Sequence, residues 1–167
     1  MTIKIGDTLP AGTLSEFIEV EGNGCSVGPN SFKVEDLVKG KKIAIFGLPG
    51  AYTPTCSAKH MPSYIANYDA LKAKGVDEIW CLSVNDAFVM GAWGREQHAG
   101  GKVRMMADGS AAYATSLGLT LDLNARGMGV RSDRYSMYVV DGVVKSLNRE
   151  APGKFEVSNA ESLLKQI

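Results

Sequence analysis

The residue best placed for chemistry is Cys56, one of three cysteines in the 167-residue chain. It opens a predicted helix directly after an apolar strand, so the unpaired amides and the dipole of that helix end point toward its sulfur and favour the thiolate. The thiolate, rather than the thiol, is the nucleophile. Position alone leaves a second interpretation open, in which Cys56 is only a small residue at a helix start.

The sequence around Cys56 favours the chemical interpretation. Residues 49–57 read Pro-Gly-Ala-Tyr-Thr-Pro-Thr-Cys-Ser, which resembles the peroxiredoxin active-site signature Pro-x-x-x-(Thr/Ser)-x-x-Cys in its type-five or plant type-two form. The segments 56–62, 78–86, 107–110 and 131–137 agree with the same group, so the resemblance covers essentially the whole chain. It implies a thiol peroxidase that reduces hydrogen peroxide and organic hydroperoxides through a sulfenic acid, serves antioxidant defence and needs no cofactor.

The resemblance also implies roles for individual residues. Cys56 corresponds to the peroxidatic cysteine, Thr53 to its hydroxyl partner and Pro49 to the ring that shields the pocket. Arg134 corresponds to the active-site guanidinium, and Arg131, three residues earlier, is its rival. We prefer Arg134 because it directly precedes a predicted strand, whereas the alternative for either arginine is a surface or ion-paired side chain.

Peroxide cleavage explains why these residue types are needed. Negative charge passes from the attacking sulfur to the leaving oxygen, so hydrogen-bond donors must follow it. The planar fork of an arginine can hold the sulfur and a peroxide oxygen together. A threonine hydroxyl can accept from the peroxide while it donates to a neighbouring oxygen.

The other two cysteines leave alternatives open. Cys81 lies in an alternating apolar strand, where it is either a buried free thiol or, as in plant-type members of the group, a possible resolving cysteine. A disulfide between Cys56 and Cys81 would need backbone movement if the two sulfurs faced different sides of the sheet. Val157 stands where animal type-five relatives place their resolving cysteine. Cys25, in a predicted turn, is interpreted as an incidental exposed thiol.

Without an obvious internal partner, the sulfenic acid must be reduced by an external thiol. Glutathione with glutaredoxin is the leading reductant and thioredoxin the second, and either requires the first helical turn to unwind locally. The resemblance also implies a homodimer packed near the active-site loops. Tyr52, Phe88 and Trp93 are candidate interface anchors, although each is equally suited to the core.

Other classes of protein fit less well. His60, four residues after Cys56, would share a helix face with it, which is compatible with a Cys-His hydrolase pair or with two metal ligands. A cysteine hydrolase also needs a group that orients the histidine, and a zinc site needs about four ligands, so both interpretations are weak. A disulfide oxidoreductase uses Cys-x-x-Cys, whereas Thr53 and Lys59 occupy the positions three residues from Cys56. A noncatalytic binding module and a domain cut from a glutaredoxin fusion are the remaining alternatives.

Charge and hydropathy exclude several kinds of partner. Eighteen Lys and Arg balance eighteen Asp and Glu, so there is no basic excess for a nucleic acid. The longest apolar run, near Ile43 to Leu48, is far shorter than the roughly 20 residues that cross a bilayer. Residues 1–7 resemble neither a secretory signal nor a transit peptide, which predicts a reducing, cytoplasmic location.

The order of predicted elements is that of one α/β domain over residues 1–167, with a thioredoxin-like central mixed sheet flanked by helices and an added amino-terminal β-hairpin. Strands are expected at 13–20, 31–38, 41–48, 78–84, 103–107, 135–140 and 143–147. Helices are expected from Cys56 to about 72, at 87–97, from a cap at 108 or 110 through 117, and from a cap at 158 or 159 to 166. Pro62 predicts a kink in the first of these helices. The stretch from 118 to 132 is expected to be irregular.

Overall fold

The computed structural model of the chain describes residues 1–20 and 26–167. Residues 21–25 lie outside that range, and so does the interpretation of Cys25 as an exposed thiol. In the described ranges no helix has the length and apolar character needed to cross a bilayer.

The sheet is mixed and seven-stranded, in the order β2-β1-β5-β4-β3-β8-β9. Its strands are β1 (Thr13–Val20), β2 (Ser26–Lys33), β3 (Lys42–Leu48), β4 (Glu78–Ser83), β5 (Arg104–Ala107), β8 (Tyr135–Val140) and β9 (Val143–Arg149), and a separate hairpin consists of β6 (Thr120–Leu123) and β7 (Gly129–Ser132). The helices are α1 (Val34–Leu37), α2 (Met61–Ala66), α3 (Tyr68–Ala73), α4 (Ala87–Glu96), α5 (Ala112–Leu117) and α6 (Ala160–Leu164). This arrangement confirms the predicted fold class.

The central strand β3 is buried on both faces, as its continuous apolar run predicts. Ala44 and Phe46 pack in the core cluster beneath α2, α4 and α6, whereas Ile43 and Ile45 pack in the cluster on the opposite face, with α5. β3 pairs in parallel with β4 and antiparallel with β8. The loop at residues 49–55 follows the carboxyl end of β3, so it lies beside the start of β8, where Gly47 pairs with Tyr135.

Two local signals place elements as predicted. The Asp86 carboxylate accepts from the amide of Val89 and caps α4. Asp141 and Gly142 both have positive φ, 48° and 79°, which is the backbone that a tight two-residue hairpin turn requires.

Three expectations were wrong. The second strand of the first hairpin is Ser26–Lys33 rather than 31–38, because the chain turns into α1 at Val34. The stretch 118–132 is not irregular throughout, because it contains the β6–β7 hairpin. The segment after Cys56 is not one kinked helix to residue 72, because α2 ends at Ala66 and α3 begins at Tyr68; Asn67 between them donates its side-chain amide to the Ser63 carbonyl.

Candidate active site

Cys56 lies in the first turn of a helical segment, as predicted. The segment begins at Pro54, and residues Cys56–His60 form a π-helical turn before α2. The Met61 amide donates to the Cys56 carbonyl, five residues back. Pro62 follows at the second position of α2, inside this continuous helical segment, and its missing amide hydrogen accompanies the π-helical irregularity just before it. The Cys56 side chain is fully buried.

Arg134 is the arginine that contacts the thiol. Its Nη2 donates to Cys56 Sγ across 3.3 Å, and its Nη1 donates to His60 Nδ1 across 3.0 Å. Its guanidinium also lies 5.9 Å from the centre of the Phe155 ring. One planar group therefore holds both the sulfur and an imidazole, a geometry that a lysine cannot reproduce.

Arg131 has a different set of partners. Its Nε donates to the Met128 carbonyl at 2.8 Å, and its Nη1 is 3.4 Å from the carbonyls of Pro49 and Val84. A Cβ on Gly50 would lie 2.8 Å from that Nη1, so a side chain at this position would displace the guanidinium. Arg131 thus ties the loop before Cys56 to the end of β4.

Thr53 precedes the helical segment and stands beside the same loop. Its hydroxyl donates to the Gly50 carbonyl at 2.8 Å, which leaves its oxygen lone pairs free to accept a further hydrogen. The amide of Ser57 donates to the Thr53 carbonyl, so Thr53 also begins the helix. Pro49 is half-buried in the loop, with its carbonyl next to Arg131.

His60 is fully buried, and both of its ring nitrogens are occupied. Arginine has only donors, so Nδ1 must accept from Arg134, and Nε2–H donates to the Ser158 carbonyl at 3.1 Å. Burial is the main cause that lowers the pKa of His60 to about 3, and the adjacent positive charge of Arg134 lowers it further. The hydrogen bond to the Ser158 backbone raises the pKa by a smaller amount. The imidazole is therefore neutral near pH 7, and neither nitrogen is available to take a proton from Cys56.

The segment that carries Ser158 is held by a buried carboxylate. Glu150 Oε1 accepts from the amides of Glu156, Val157 and Ser158 and from the Ser158 hydroxyl, at 2.7–2.9 Å. Burial alone would raise the pKa of Glu150, but these donors outweigh it and leave the pKa below its ordinary value. A continuous chain of hydrogen bonds thus runs from Glu150 through Ser158, His60 and Arg134 to Cys56.

Comparison with known proteins identifies the family. The redoxin family model matches residues 4–164. Peroxiredoxin-2B of Arabidopsis thaliana is 46% identical over 165 residues, 99% of this chain and 98% of its own. A crystal structure of reduced Prx3 from Vibrio vulnificus with hydrogen peroxide is 49% identical, covers 98% of each chain and superposes with a TM-score of 0.90. The chain is a peroxiredoxin of the plant type-two group. Its reaction is the thiol-dependent reduction of peroxides.

One similar structure has a different description. A Burkholderia cenocepacia protein, provisionally described as a thioredoxin reductase, is 61% identical, covers 100% of this chain and 99% of its own, and has a TM-score of 0.96. The present peroxiredoxin has Thr53 and Lys59 where a Cys-x-x-Cys pair with Cys56 would need its second cysteine. Its sequence at residues 49–56 resembles the peroxiredoxin signature.

A cavity of about 440 Å³ opens in front of the peroxiredoxin site. Arg134, which contacts Cys56, lines it with Pro49 and Thr53, and so do the apolar side chains of Met128, Leu121 and Leu123. In the described residues no group of three or more His, Cys, Asp or Glu side chains is arranged to hold a metal ion.

Cys81 of the peroxiredoxin packs in the same core cluster as Cys56, so the two thiols lie on one side of the sheet. Burial, and then the neighbouring Cys56, raise the pKa of Cys81 well above its ordinary value, and the Arg134 charge offsets this only in part. Cys81 is therefore a neutral, buried thiol in the folded protein.

The structure adds residues that the sequence reasoning did not identify. Glu150 and Ser158 fix the imidazole, and the Trp93 indole donates to Ser57 Oγ at 3.1 Å beside the thiol. Trp93 is fully buried, so it belongs to the core and is not an exposed interface anchor. No sequence signal marks Ser158 as a partner of the imidazole, because His60 lies 98 residues earlier in the chain. Glu150 contacts only residues 156–158, so its link to the site runs through Ser158.

Proposed function

We propose that Cys56 is the residue that reduces the peroxide, with Arg134 and Thr53 as the groups that hold the reacting oxygens. The observation that supports this most directly is the 3.3 Å hydrogen bond from Arg134 Nη2 to Cys56 Sγ, at the inner end of a cavity that Thr53 and Pro49 also line. The bound hydrogen peroxide named for the Vibrio relative lends further support, because that protein shares the fold and 49% of the sequence.

The proposed step is a two-electron displacement. The Cys56 thiolate attacks the terminal oxygen of ROOH, the S–O bond forms as the O–O bond breaks, and the leaving alkoxide or hydroxide takes up a proton. Sulfur is oxidised to the sulfenic acid, and the peroxide is reduced to an alcohol or water. Arg134 faces the charge as it moves from sulfur to oxygen, and Thr53 accepts a hydrogen bond from the peroxide because its own proton is donated to Gly50.

Recycling then requires the sulfur to leave its pocket. Two external thiols then reduce the Cys56 sulfenic acid back to the thiol. The external thiols are oxidised to a disulfide, and the sulfenic oxygen leaves as water. Cys56 is fully buried, so we propose that the π-helical turn at Cys56–His60 unwinds at this stage. The unwinding would break the hydrogen bond that the Trp93 indole donates to the Ser57 hydroxyl. Glutathione with glutaredoxin is the proposed reductant and thioredoxin is the second candidate.

We assign Cys81 no part in the cycle while the chain is folded. Its neutral thiol is a poor nucleophile, and its strand is central in the sheet. The alternative is a resolving role after the turn at Cys56 has unwound, and it predicts an intramolecular disulfide. Val157 leaves no carboxy-terminal thiol at the position that animal type-five relatives use.

We also propose a homodimer that packs through Tyr52 and Phe88. Both side chains are exposed, at 51% and 63%, and the Ala51 amide donates to the Asn85 side chain, which brings the Tyr52 loop beside the start of α4. Sedimentation velocity of Phe88→Glu should show monomer where the native protein shows dimer. The matched control is Ile5→Glu, at a position that is 61% exposed in the amino-terminal segment, and it should leave the dimer intact. A native protein that sediments as monomer would overturn the proposal.

A cytoplasmic location is proposed because free thiols need a reducing compartment. The relatives include peroxiredoxins named as chloroplastic and mitochondrial, so cell fractionation with an antibody to this chain is the direct test.

The central experiment is stopped-flow oxidation of the reduced protein by hydrogen peroxide, followed by intact mass, with Cys56→Ser and Cys81→Ser as the paired variants. We expect fast oxidation in the native protein and in Cys81→Ser, an added oxygen or its thiol adduct in the mass, and no fast phase in Cys56→Ser. Fast oxidation of Cys56→Ser would exclude Cys56 as the reactive residue. A disulfide that depends on Cys81 would replace the one-cysteine cycle with the resolving alternative.

A further inference from the structure

The cavity in front of Cys56 is larger than a small peroxide requires. Its volume of about 440 Å³ falls in the range of about 300–1,000 Å³ that is usual for sites of drug-sized ligands. Hydrogen peroxide has two heavy atoms, which Thr53 and Arg134 would hold at the inner end. The remaining volume is available to a substituent on the peroxide.

Part of the wall of this cavity is apolar. Leu121 and Leu123 are alternate residues of β6, so they project from the same face of that strand. Met128 lies between β6 and β7, and Pro54 and Pro152 come from the loops before Cys56 and after β9. A hydrocarbon group beside the peroxide would replace water against these side chains.

The charged side chains that line the cavity differ in whether an oppositely charged partner lies nearby. Asp133 is ion-paired with Arg149, whereas Glu150 has no cation within 4 Å among the described residues and accepts from three amides and a hydroxyl. Arg126 also lines the cavity, is exposed, and has no carboxylate within 4 Å among the described residues. Lys154 lines it as well, and its ammonium is 3.8 Å from the exposed Glu156, at the outer limit of an ion pair. The rim therefore presents two cations whose charge is largely unused.

We propose that this cavity selects organic hydroperoxides that carry a carboxylate on an apolar body, with Arg126 and Lys154 binding the carboxylate. The inference rests on the proposed function, since the same Cys56 thiolate attacks the terminal oxygen, the O–O bond breaks, and the hydroxy acid leaves as the alcohol after protonation. A sphere of the cavity's volume is about 9 Å across, so one ring or a short chain separates the peroxide from the carboxylate. The favoured substrates are thus small hydroperoxy acids.

The test compares two substrates that differ by one carboxylate group. Cumene hydroperoxide and its para-carboxylate derivative place a benzene ring in the cavity, and the second adds an anion at the far end of that ring. We expect kcat/KM for the carboxylate to exceed that for the neutral compound by about fivefold at low salt, and the ratio to fall as NaCl rises, as for partly exposed ion pairs.

Two double variants with the same change in net charge show where the preference arises. Arg126→Gln with Lys154→Gln should bring the ratio to about one. Arg95→Gln with Lys102→Gln, at a separate cavity between β1 and α4, should retain the native ratio. A native ratio of one or less, or the same loss in both double variants, would overturn the proposal. Slow oxidation of the native protein by hydrogen peroxide would instead overturn the proposed function, and this inference with it.

Discussion

The buried His60 makes a measurable prediction about acid stability. Its folded pKa, about 3, lies below the ordinary value of 6.5, so the unfolded chain binds a proton that the folded chain does not between those values. Stability is therefore lost as the pH falls from about 6.5 toward 3. At pH 5 about 97% of unfolded-state imidazole is protonated, which corresponds to a loss of about 2 kcal/mol relative to pH 7 through His60 alone.

The perturbation is His60→Phe, which keeps an aromatic ring against Phe46, Tyr64 and Phe155. Urea unfolding at pH 7 and pH 5 should show that the native protein loses about 2 kcal/mol more than the variant over this interval. The matched control is His98→Asn, which removes the other histidine at an exposed site whose φ of 56° asparagine tolerates. It should retain the native pH dependence. Equal losses in the native protein and in His60→Phe would refute the assignment of a neutral, buried imidazole.

The same variant tests the hydrogen bond between His60 and Arg134. A hydrogen bond to a charged group contributes about 1.5–3 kcal/mol, and the lower end applies because Arg134 is only half-buried and can recruit water. If the bond aims the guanidinium at the sulfur, stopped-flow oxidation by hydrogen peroxide should slow about tenfold at pH 7. An unchanged rate in a folded variant would mean that Arg134 keeps its position without the imidazole.

Further predictions concern the arginine fork, the loop anchor and the second thiol. Arg134→Lys keeps the charge but loses the fork, so kcat/KM for hydrogen peroxide should fall about a hundredfold, and equal activity would exclude the two-point contact. Glu150→Gln should lower the free energy of unfolding by about 1–3 kcal/mol at pH 7. The difference in stability from the native protein should shrink as the pH falls through the lowered pKa of Glu150, and a difference that stays constant with pH would contradict that lowered pKa. Cys81 should resist iodoacetamide at pH 7.5 and react after urea is added, as read by peptide mass mapping, and labelling in the native state would refute its burial.

The elements that could be predicted from the sequence are those with strong local signals. β3 has a continuous apolar core, α4 has Asp86 as its cap, and the β8–β9 hairpin has an Asp-Gly turn. Each signal acts within a few residues, so the surrounding fold does not need to be known. The β6–β7 hairpin was missed because its strands are short and only partly buried, with glycines that resemble an irregular stretch.

The residues of the site also separate into those with a local sequence signal and those whose role depends on distant contacts. The sequence by itself indicated the family and its reaction and pointed to Cys56 as the reactive residue, because the loop, the threonine and the thiol that resemble the peroxiredoxin signature lie within eight consecutive positions. Tertiary structure decided that Arg134 reaches the sulfur while Arg131 holds the loop, although both arginines follow Cys56 by more than 70 residues. It also decided that His60 is neutral, since its nitrogens meet Arg134 and Ser158, 74 and 98 residues away. Burial and long-range hydrogen bonds set those properties, and only the folded chain brings the partners together.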